Sequence, residues 1–305
     1  MMRADGGIDR DALFAALNEG ILDERAGAFR RNLARNRDAI RRHGGLRTVV
    51  PLIEGRHVAI VGAGPSLEGA LGPLGRYHHR QELCVIAADM ALRPLARNGI
   101  RPAFVISCET KPVDFFAGVD TTGMHLLAFS CMSSVNLRRW RGRVSFYNWM
   151  IHNDRYDPLW RDAGEELGFV ATGNLVTTQA VALALGCRIA SLALFGNDLG
   201  FRRRYYAAET VRFHETLCAV DRLLPLPTAE FRTARRAAEY ALLRGNDAYC
   251  TNSQFLAAKL WLEELFSKQA VPIFDCSDPG CSGSHAIKLA PKEYFARFDR
   301  KPRRR

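Results

Sequence analysis

The sequence has no apolar run of the roughly 18 residues that a membrane-spanning helix requires. Its longest apolar segment, Val176 to Cys187, stops well short of that length. No hydrophobic stretch follows the first residues, Met1-Met2-Arg3-Ala4, so we predict no secretory signal. From these two absences we expect a cytoplasmic protein that does not span a membrane.

Cysteine pairs with the spacing of a metal site are also missing. The eight cysteines are scattered without a C-x-x-C pair, and Cys84 and Cys108 lie inside apolar runs, where cysteine acts as a small hydrophobic residue. We therefore expect neither a disulfide framework nor a zinc site. Cys276, Cys281 and His285 come closest to a metal-binding set, but their spacing matches no standard site, and we interpret them as a loop.

Acidic residues are fewer than basic ones, 32 against 43, so the formal net charge is +11. Such an excess indicates an anionic partner: phosphates, anionic sugars or an acidic protein surface. The basic residues are spread along the chain and aromatic residues do not interleave with them, which argues against a nucleic-acid partner. We interpret the final Arg303-Arg304-Arg305 as a solvated tail.

Short apolar runs alternate with helical segments between residues 56 and 200. Apolar strands without alternation, separated by helices, indicate a parallel sheet that is covered on both faces. We therefore predict an α/β fold with a doubly wound, mostly parallel, Rossmann-like sheet. The predicted strands are Val58–Val61, Cys84–Ala88, Ala103–Ser107, His125–Phe129, Val144–Tyr147 and Ser191–Phe195.

A helical arm is predicted before the sheet and a mainly helical region after it. Apolar residues recur at helical spacing over residues 8–43, on a basic background that we expect to be solvated. Residues 202–250 are predicted to be largely helical, Thr251 or Asn252 caps a further helix, and 271–274 form a last short strand. The predicted division is 1–50 helical arm, 51–200 nucleotide-binding core, 201–298 substrate-side region and 299–305 basic tail.

The first strand leads into the turn Gly62-Ala63-Gly64-Pro65-Ser66-Leu67, which we call the glycine turn. Glycine lets backbone amides approach an anion, Pro65 suits the first turn of a helix, and Ser66 offers a hydroxyl. The dinucleotide fingerprint G-x-G-x-x-G needs a third glycine where this chain has Leu67. We therefore predict a mononucleotide phosphate or ribose here rather than NAD; the alternative is a tight turn whose glycines serve packing alone.

Carboxylates follow three of the six predicted strands: Asp89, Glu109 and Asp198, the last preceded by Asn197. Ligands of open α/β sheets bind beyond the carboxyl ends of the strands, so we expect these residues to line one site. Asp198 and Glu109 are the candidate catalytic residues, Asp89 is a candidate ribose contact, and Asn197 is expected to contact the nucleotide. For Asp198, the roles of general base, metal ligand and ribose partner stay open, and a structural hydrogen bond to a neighbouring loop is the alternative.

Two further segments are expected to contribute to the same site. Thr172-Gly173-Asn174 precedes a helix, and Thr172 and Asn174 are each candidate caps that leave helix amides facing a phosphate. Ordinary capping without a ligand is the alternative. Arg202-Arg203-Arg204 could clamp an anionic substrate or form a solvated loop.

Three stretches in order resemble the MptE-like domain family: VGAGPSL, AADMALRPLARNGIRPAFVISCE and ATGNLVTTQAVALALGCRIASLALFGNDLGF. That domain is shared by archaeal 6-hydroxymethylpterin diphosphokinases and bacterial motility accessory factors, which are flagellin glycosyltransferases. It is more distantly similar to CMP-sialic acid-dependent sialyltransferases. The likeness spans residues 56–200 and fades through 251–290. It implies a nucleotide bound by Gly62, Gly64, Ser66 and Thr172-Gly173-Asn174, with Asp89 and Asp198 lining the site.

The resemblance implies a nucleotide-dependent transferase. Our leading hypothesis is a motility accessory factor-like glycosyltransferase that moves a sugar, such as a nonulosonic acid, from a CMP-sugar to a small-molecule, glycan or flagellin-type acceptor. The alternatives are a 6-hydroxymethylpterin diphosphokinase that uses ATP, with Mg²⁺ held by Asp198, Asp89 or Glu109, and a non-catalytic nucleotide-binding module. An oligomer is compatible with each.

One departure from the sialyltransferases is plain in the sequence. Their histidine base precedes the helix that starts near residue 252, where this chain has Ala248-Tyr249-Cys250-Thr251. His214 and His285 are the nearest histidines, and neither falls at the expected position. The sequence therefore argues against the sialyltransferase mechanism and does not identify a general base.

Overall fold

A nine-stranded sheet with helices on both faces organises the protein, and the computed structural model describes residues 10–244, 247–280 and 285–299. Residues 1–9 of the predicted arm, Cys281, and the predicted tail from residue 300 onward lie outside the described residues. The strands are β1 His57–Val61, β2 Leu83–Ala88, β3 Phe104–Ser107, β4 His125–Phe129, β5 Arg143–Trp149, β6 Phe169–Val170, β7 Ser191–Phe195, β8 Tyr240–Arg244, β9 Asp247–Thr251, β10 Ile273–Asp275 and β11 Ile287–Lys288. The α-helices are α1 Arg10–His43, α2 Val50–Ile53, α3 Leu67–Tyr77, α4 Leu92–Arg97, α5 Ser134–Arg139, α6 Asp157–Ala163, α7 Val176–Gly186, α8 Val211–Cys218, α9 Leu226–Ala237, α10 Ser253–Ser267 and α11 Pro291–Phe295.

The strand order of the large sheet is β11-β10-β7-β1-β2-β3-β4-β5-β6, and every neighbouring pair is parallel. The chain starts at β1, moves outward to β6, and then returns to β7 on the other side of β1. All residues of β2, β4 and β7 are buried, as expected of strands that are covered on both faces. The predicted doubly wound parallel sheet is confirmed, with its topological switch point between β1 and β7.

All six strands predicted within residues 56–200 are confirmed, and the last short strand is present as β10. The two-residue strands β6 and β11 were not predicted, because two residues carry no readable periodicity. Since β10 pairs with β7, the segment after residue 200 contributes to the same sheet as the predicted core.

The prediction that residues 202–250 are largely helical is wrong in its last part. Helices α8 and α9 are present, but β8 and β9 pair as an antiparallel hairpin. The dipeptide Gly245-Asn246 between two short runs rich in Tyr and Leu is a sequence signal for such a hairpin. Phe201 N–H donates to Cys250 O at 2.8 Å, which attaches β9 to the segment after β7.

The predicted arm is confirmed as the 34-residue helix α1. Its buried residues Leu22, Phe29, Leu33 and Ile40 recur at helical spacing and join the main hydrophobic core. No helix in the described ranges combines the length and apolar character needed for a membrane crossing. Helix α1 is therefore a packed part of the domain, held along one side of the sheet.

Candidate active site

The loops that follow β1 and β7 meet at the switch point of the sheet, where ligands of such folds bind. Gly62 N–H donates to Phe195 O at 2.8 Å, and Gly64 N–H donates to Gly196 O at 2.9 Å. A cavity of about 480 Å³ opens above these two loops. Its volume is in the range of small-molecule binding sites.

The glycines of the turn are required by the close approach of the two loops. A Cβ on Gly62 would lie 2.5 Å from Gly196 O, and a Cβ on Gly64 would lie 2.5 Å from the Asp198 carboxyl carbon. Gly196 has φ +64°, and its own Cβ would lie 2.6 Å from Gly62 O. The packing alternative raised by the sequence therefore accounts for the glycines, whatever the loops bind.

Four amides of the glycine turn, those of Gly62, Gly64, Ser66 and Leu67, already have acceptors within the protein. Besides the two glycine amides, Ser66 N–H donates to Asp198 Oδ2 at 2.9 Å, and Ser66 Oγ donates to Asp198 Oδ1. Helix α3 begins at Leu67, two residues after the predicted Pro65. The Ser66 hydroxyl is bonded to Asp198, and Gly62, Gly64 and Ser66 offer no free amide to an anion.

Asp198 and Asp89 are buried carboxylates on the cavity wall, 5% and 6% exposed. Burial raises the pKa of each to about 7. Asp89 accepts hydrogen bonds from Ser107 Oγ at 2.6 Å and from Met90 N–H at 2.7 Å. Both groups therefore change charge near neutral pH, which is the range in which a general base works best.

Glu109 is the most accessible of the three predicted carboxylates, with 22% of its side chain exposed. Its Oε1 accepts from Lys111 N–H at 2.8 Å and lies 3.9 Å from Arg25 Nη1. Its Oε2 has no hydrogen-bond partner in the described part of the chain. Burial, and to a smaller extent the charge of Glu109, raises the pKa of Asp89, so these two carboxylates interact.

The described residues contain no preformed cluster of metal ligands. Within residues 10–244, 247–280 and 285–299, no three His, Cys, Asp or Glu side chains come together as a metal-binding group. No histidine of the described residues lines the cavity. His214 Nε2 instead lies 3.1 Å from Glu209 Oε2.

The segment Thr172-Gly173-Asn174 enters α7 differently from the prediction. The N-cap of α7 is Leu175, and no side chain caps it, so the capping roles predicted for Thr172 and Asn174 are wrong. Thr172 Oγ1 instead accepts from Asn174 N–H at 3.2 Å and from Gln179 Nε2 at 3.2 Å. Gly173 packs against Trp261, where a Cβ would lie 2.9 Å from the indole ring.

Asn174 has a strained backbone and an unpartnered side chain, although the residue is only 8% exposed. It has φ +68°, a left-handed conformation that is uncommon for residues with a side chain. Neither its Oδ1 nor its Nδ2 has a hydrogen-bond partner within the described residues. The next amides, of Leu175, Val176 and Thr177, also have none there, and all four residues line the cavity. This is the arrangement expected of a ligand-binding helix N-terminus.

The segment after residue 200 forms the opposite wall. Tyr205 stacks on Phe255 with ring centroids 5.3 Å apart, and Tyr206 packs edge-on against Tyr205 at 4.6 Å. Gln254 Nε2 donates to Asn174 O at 2.7 Å, which links α10 to the entrance of α7. Asn252 caps α10 as predicted, because its Oδ1 accepts from Phe255 N–H.

Two of the three arginines in the predicted clamp form ion pairs within the protein. Arg204 pairs with Glu68 and Glu230 at 2.6 and 2.8 Å, and Arg202 pairs with Asp278 at 3.1 Å. The arginines that line the cavity in the described ranges are Arg25 and Arg212. These two were not predicted, because they come from helices whose charged faces usually point to solvent.

Of the ten predicted site residues, eight lie on the cavity wall: Gly62, Gly64, Asp89, Glu109, Thr172, Asn174, Asn197 and Asp198. Ser66 and Gly173 are not among the lining residues. Asn197 is also structural, since its Nδ2 donates to Ile60 O and Phe195 O, both at 3.1 Å. The structure thus brings the predicted residues together, and their roles toward a ligand stay predictions.

Comparison with known proteins agrees with this architecture. The family model described as 6-hydroxymethylpterin diphosphokinase MptE-like matches residues 31–204, more than half of the chain. The solved structure of a MAf glycosyltransferase from Magnetospirillum magneticum AMB-1 is similar, with a TM-score of 0.57 and 18% sequence identity, over 78% of this chain and 34% of that one. The chain thus spans about a third of that protein, and the likeness is one of fold. No curated protein matches the chain.

Proposed function

Because the chain belongs to the 6-hydroxymethylpterin diphosphokinase MptE-like family, we propose that it is a nucleotide-dependent transferase whose nucleotide binds in the cavity at the switch point. The leading candidate is a glycosyltransferase that moves a sugar, such as a nonulosonic acid, from a CMP-sugar to a glycan or protein acceptor. The fold that it shares with a MAf glycosyltransferase supports this choice.

The observation that carries the proposal is the entrance of α7. The buried side-chain amide of Asn174 has no partner in the described ranges, and its backbone is in a left-handed conformation. Both cost free energy that a bound ligand can recover. Asn174 is assigned to hydrogen bonds with the base or ribose of the nucleotide. The adjacent free amides of α7 are assigned to its phosphate, because the positive end of the helix dipole favours an anion there.

The proposed reaction joins an acceptor hydroxyl oxygen to the anomeric carbon of the donor sugar. Glu109 takes the proton of that hydroxyl, since its Oε2 is the free oxygen among the carboxylates. The bond between the anomeric carbon and the phosphate oxygen breaks, and its electron pair leaves with the phosphate. Asp198, whose two oxygens are held by Ser66, positions the glycine turn. The phenol and phenyl rings of Tyr205 and Phe255 form a wall for the transferred sugar or its acceptor.

A pterin diphosphokinase is the second candidate, and the description of the family favours it. In that reaction the pterin hydroxyl oxygen attacks the β-phosphorus of ATP and gives up its proton, the bond between the β-phosphorus and the oxygen bridging to the α-phosphorus breaks, and AMP leaves with the electron pair. Asp89 and Glu109 both line the cavity and could hold Mg²⁺ together with phosphate oxygens, which suits an ion that is typically bound by one or two carboxylates plus phosphate. The aromatic wall would then take the pterin ring.

Binding measurements separate these candidates. Thermal unfolding of the protein should be followed with CMP, UDP and ATP, each with and without Mg²⁺. Stabilisation by CMP without metal supports the glycosyltransferase, and stabilisation by ATP that needs Mg²⁺ supports the diphosphokinase. If no nucleotide raises the melting temperature, the proposed nucleotide site is wrong and a different ligand is needed.

Variants tie the binding to the residues named. Asn174→Ala should abolish the nucleotide effect, whereas Asn98→Ala, which removes an exposed asparagine amide bonded to Pro94 O, should leave it intact. Glu109→Gln should lower turnover by roughly 10²- to 10⁴-fold with nucleotide affinity retained. Glu165→Gln, an exposed glutamate away from the cavity, is its control. Full turnover by Glu109→Gln would assign the base elsewhere.

A further inference from the structure

A nucleotide phosphate in this cavity needs a charged partner that the glycine turn does not supply. The amides of Gly62, Gly64 and Ser66 all donate within the protein. The free amides of α7 carry only partial charge. The wall itself holds three carboxylates, Asp89, Glu109 and Asp198, so an entering anion requires a compensating cation.

Arg25 is placed to be that cation. The residue lines the cavity, and its Nε is buried without a hydrogen-bond partner in the described part of the chain. Its ion pair with Glu109 is loose, at 3.9 Å. A buried guanidinium N–H without an acceptor is costly, and a phosphate oxygen would satisfy it.

Helix α1 is fixed so that Arg25 reaches the cavity. Asn32 Nδ2 donates to Thr110 O at 3.0 Å and to Cys131 O at 3.2 Å. One turn later, Asn36 Nδ2 donates to Ser130 O at 3.0 Å and to Met132 O at 2.9 Å. These carbonyls belong to the segments after β3 and β4, at the carboxyl ends of the strands. The two asparagines therefore set the register of α1 along the edge that carries the cavity.

The same face of α1 packs on the cavity wall next to Arg25. Phe29, one turn after Arg25, contacts Trp149 edge-on with ring centroids 5.7 Å apart. Trp149 lines the cavity, and its buried Nε1 has no partner within the described residues. A second unsatisfied donor thus lies on this side of the cavity.

We propose that Arg25, delivered by helix α1, binds the phosphate group of the nucleotide. Glu109 holds the guanidinium loosely in the free protein. The assignment rests on the proposed function only in taking a phosphate-bearing ligand, and it holds for either a CMP-sugar or ATP. Arg25 lies outside the family match, which begins at residue 31. The arm is therefore part of the binding site, and its basic face is only partly a solvated one.

The test compares phosphate-bearing probes with their nucleosides. Affinities of CMP, ATP with Mg²⁺, pyrophosphate, cytidine and adenosine are measured by calorimetry for the wild type, Arg25→Gln, Arg25→Lys and Arg30→Gln. Arg25→Gln should weaken the phosphate-bearing probes by roughly 10- to 100-fold and leave the nucleosides unchanged. Arg25→Lys should lose less, because it keeps the charge without the planar fork. Arg30→Gln, an exposed arginine on the same helix, should match the wild type.

The outcomes separate the two proposals. Equal binding of CMP or ATP by the wild type and Arg25→Gln overturns the role of Arg25 and leaves the nucleotide site standing. Binding of pyrophosphate that depends on Arg25, without binding of any nucleotide, supports the role of Arg25 and overturns the nucleotide site. Loss of nucleoside affinity in Arg25→Gln, or binding of no probe at all by the wild type, overturns the role of Arg25. A circular-dichroism melt of each variant without ligand verifies that α1 stays docked.

Discussion

The two edges of the sheet both bury polar side chains, but their cavity-facing and strand-starting residues differ in hydrogen bonding. At the amino edge, where the strands begin, two histidines have partners: His57 Nδ1 lies 2.8 Å from Ser191 Oγ, and His125 Nε2 lies 2.9 Å from Ser145 Oγ. Arg56 Nε and Tyr294 Oη at this edge have none in the described ranges. At the carboxyl edge, the amide of Asn174 has no partner in the described ranges. Buried polar residues are normally hydrogen-bonded, so an unpartnered side-chain amide on the wall of the cavity indicates a binding site at the carboxyl edge.

Within the carboxyl edge, too, polar residues that are bonded inside the protein differ from those that are free to bind a ligand. Asn197 and Ser66 are as polar as Asn174, yet their hydrogen bonds end inside the protein. Residue type and position at a strand end therefore do not suffice to assign a ligand contact. The test is whether the polar atoms have partners.

The largest expected difference between the edges is their response to pH. Asp89 and Asp198 have folded-state pKa values of about 7, above the unfolded value, because they are buried. Protonation therefore favours the folded state, and this contribution to stability is lost as the pH rises from about 4 to about 7. Burial lowers the pKa of His57 and His125, so their contribution is present above about pH 6.5 and is lost as the pH falls.

Asp89→Asn should remove the part of the pH dependence of stability that comes from Asp89, because asparagine does not ionise when the pH rises. Its free energy of unfolding, measured by urea titration from pH 4 to pH 8, should exceed that of the wild type at pH 8 by up to about 4 kcal/mol. The two curves should converge near pH 4. Asp162→Asn, at an exposed position on α6, serves as the control. Parallel curves for Asp89→Asn and the wild type would refute the raised pKa.

The next effect concerns glycine at the two crossing loops. Gly62→Ala should lower the free energy of unfolding by about 1–3 kcal/mol, because its Cβ would overlap Gly196 O. Gly69→Ala, exposed in α3 with no atom within 4 Å of its Cβ, should raise it by roughly 0.5–1 kcal/mol. Chemical denaturation measures both. Equal effects would mean that the loops relax freely and that the close approach is not required.

The smallest expected changes in stability come from two substitutions, one at each edge, that should differ in their effect on nucleotide binding. Asn174→Gly relieves the left-handed strain and removes an unpartnered amide, so stability should stay the same or rise by up to about 1 kcal/mol while nucleotide binding is lost. Ser191→Ala leaves His57 without its partner and should cost about 1 kcal/mol with nucleotide binding intact. Thermal melts with and without nucleotide report both. Nucleotide binding that survives Asn174→Gly would break the comparison.

Most of the fold could be predicted from local patterns. The apolar strand runs and the periodic faces of α1 and α10 are strong signals, because burial on both faces or on one face imposes them directly. The hairpin of β8 and β9 was missed although Gly245-Asn246 indicated it. The short strands β6 and β11 carry no pattern of their own and form because neighbouring strands offer them a free edge.

The candidate site was predictable only in part. Asp89, Glu109 and Asp198 could be found because each follows a strand, and parallel strands end at a common edge. Arg25 and Trp149 could not, since one lies on a basic helix and the other at the end of an aromatic strand. Their relevance depends on the docking of α1 through Asn32 and Asn36, contacts that span about a hundred residues of chain.

By itself, the sequence determined the parallel sheet, the family and the edge at which a ligand would bind, because these follow from periodicity and from short motifs. The tertiary structure decided which polar groups are used up inside the protein and which stay free. It assigned the glycines of the turn to the packing of two loops and the Ser66 hydroxyl to Asp198, and it left unpartnered side-chain donors of Asn174, Arg25 and Trp149 at the cavity. No local sequence pattern could predict this, because the hydrogen-bond partners of a buried group are residues that the fold brings to it from distant parts of the chain.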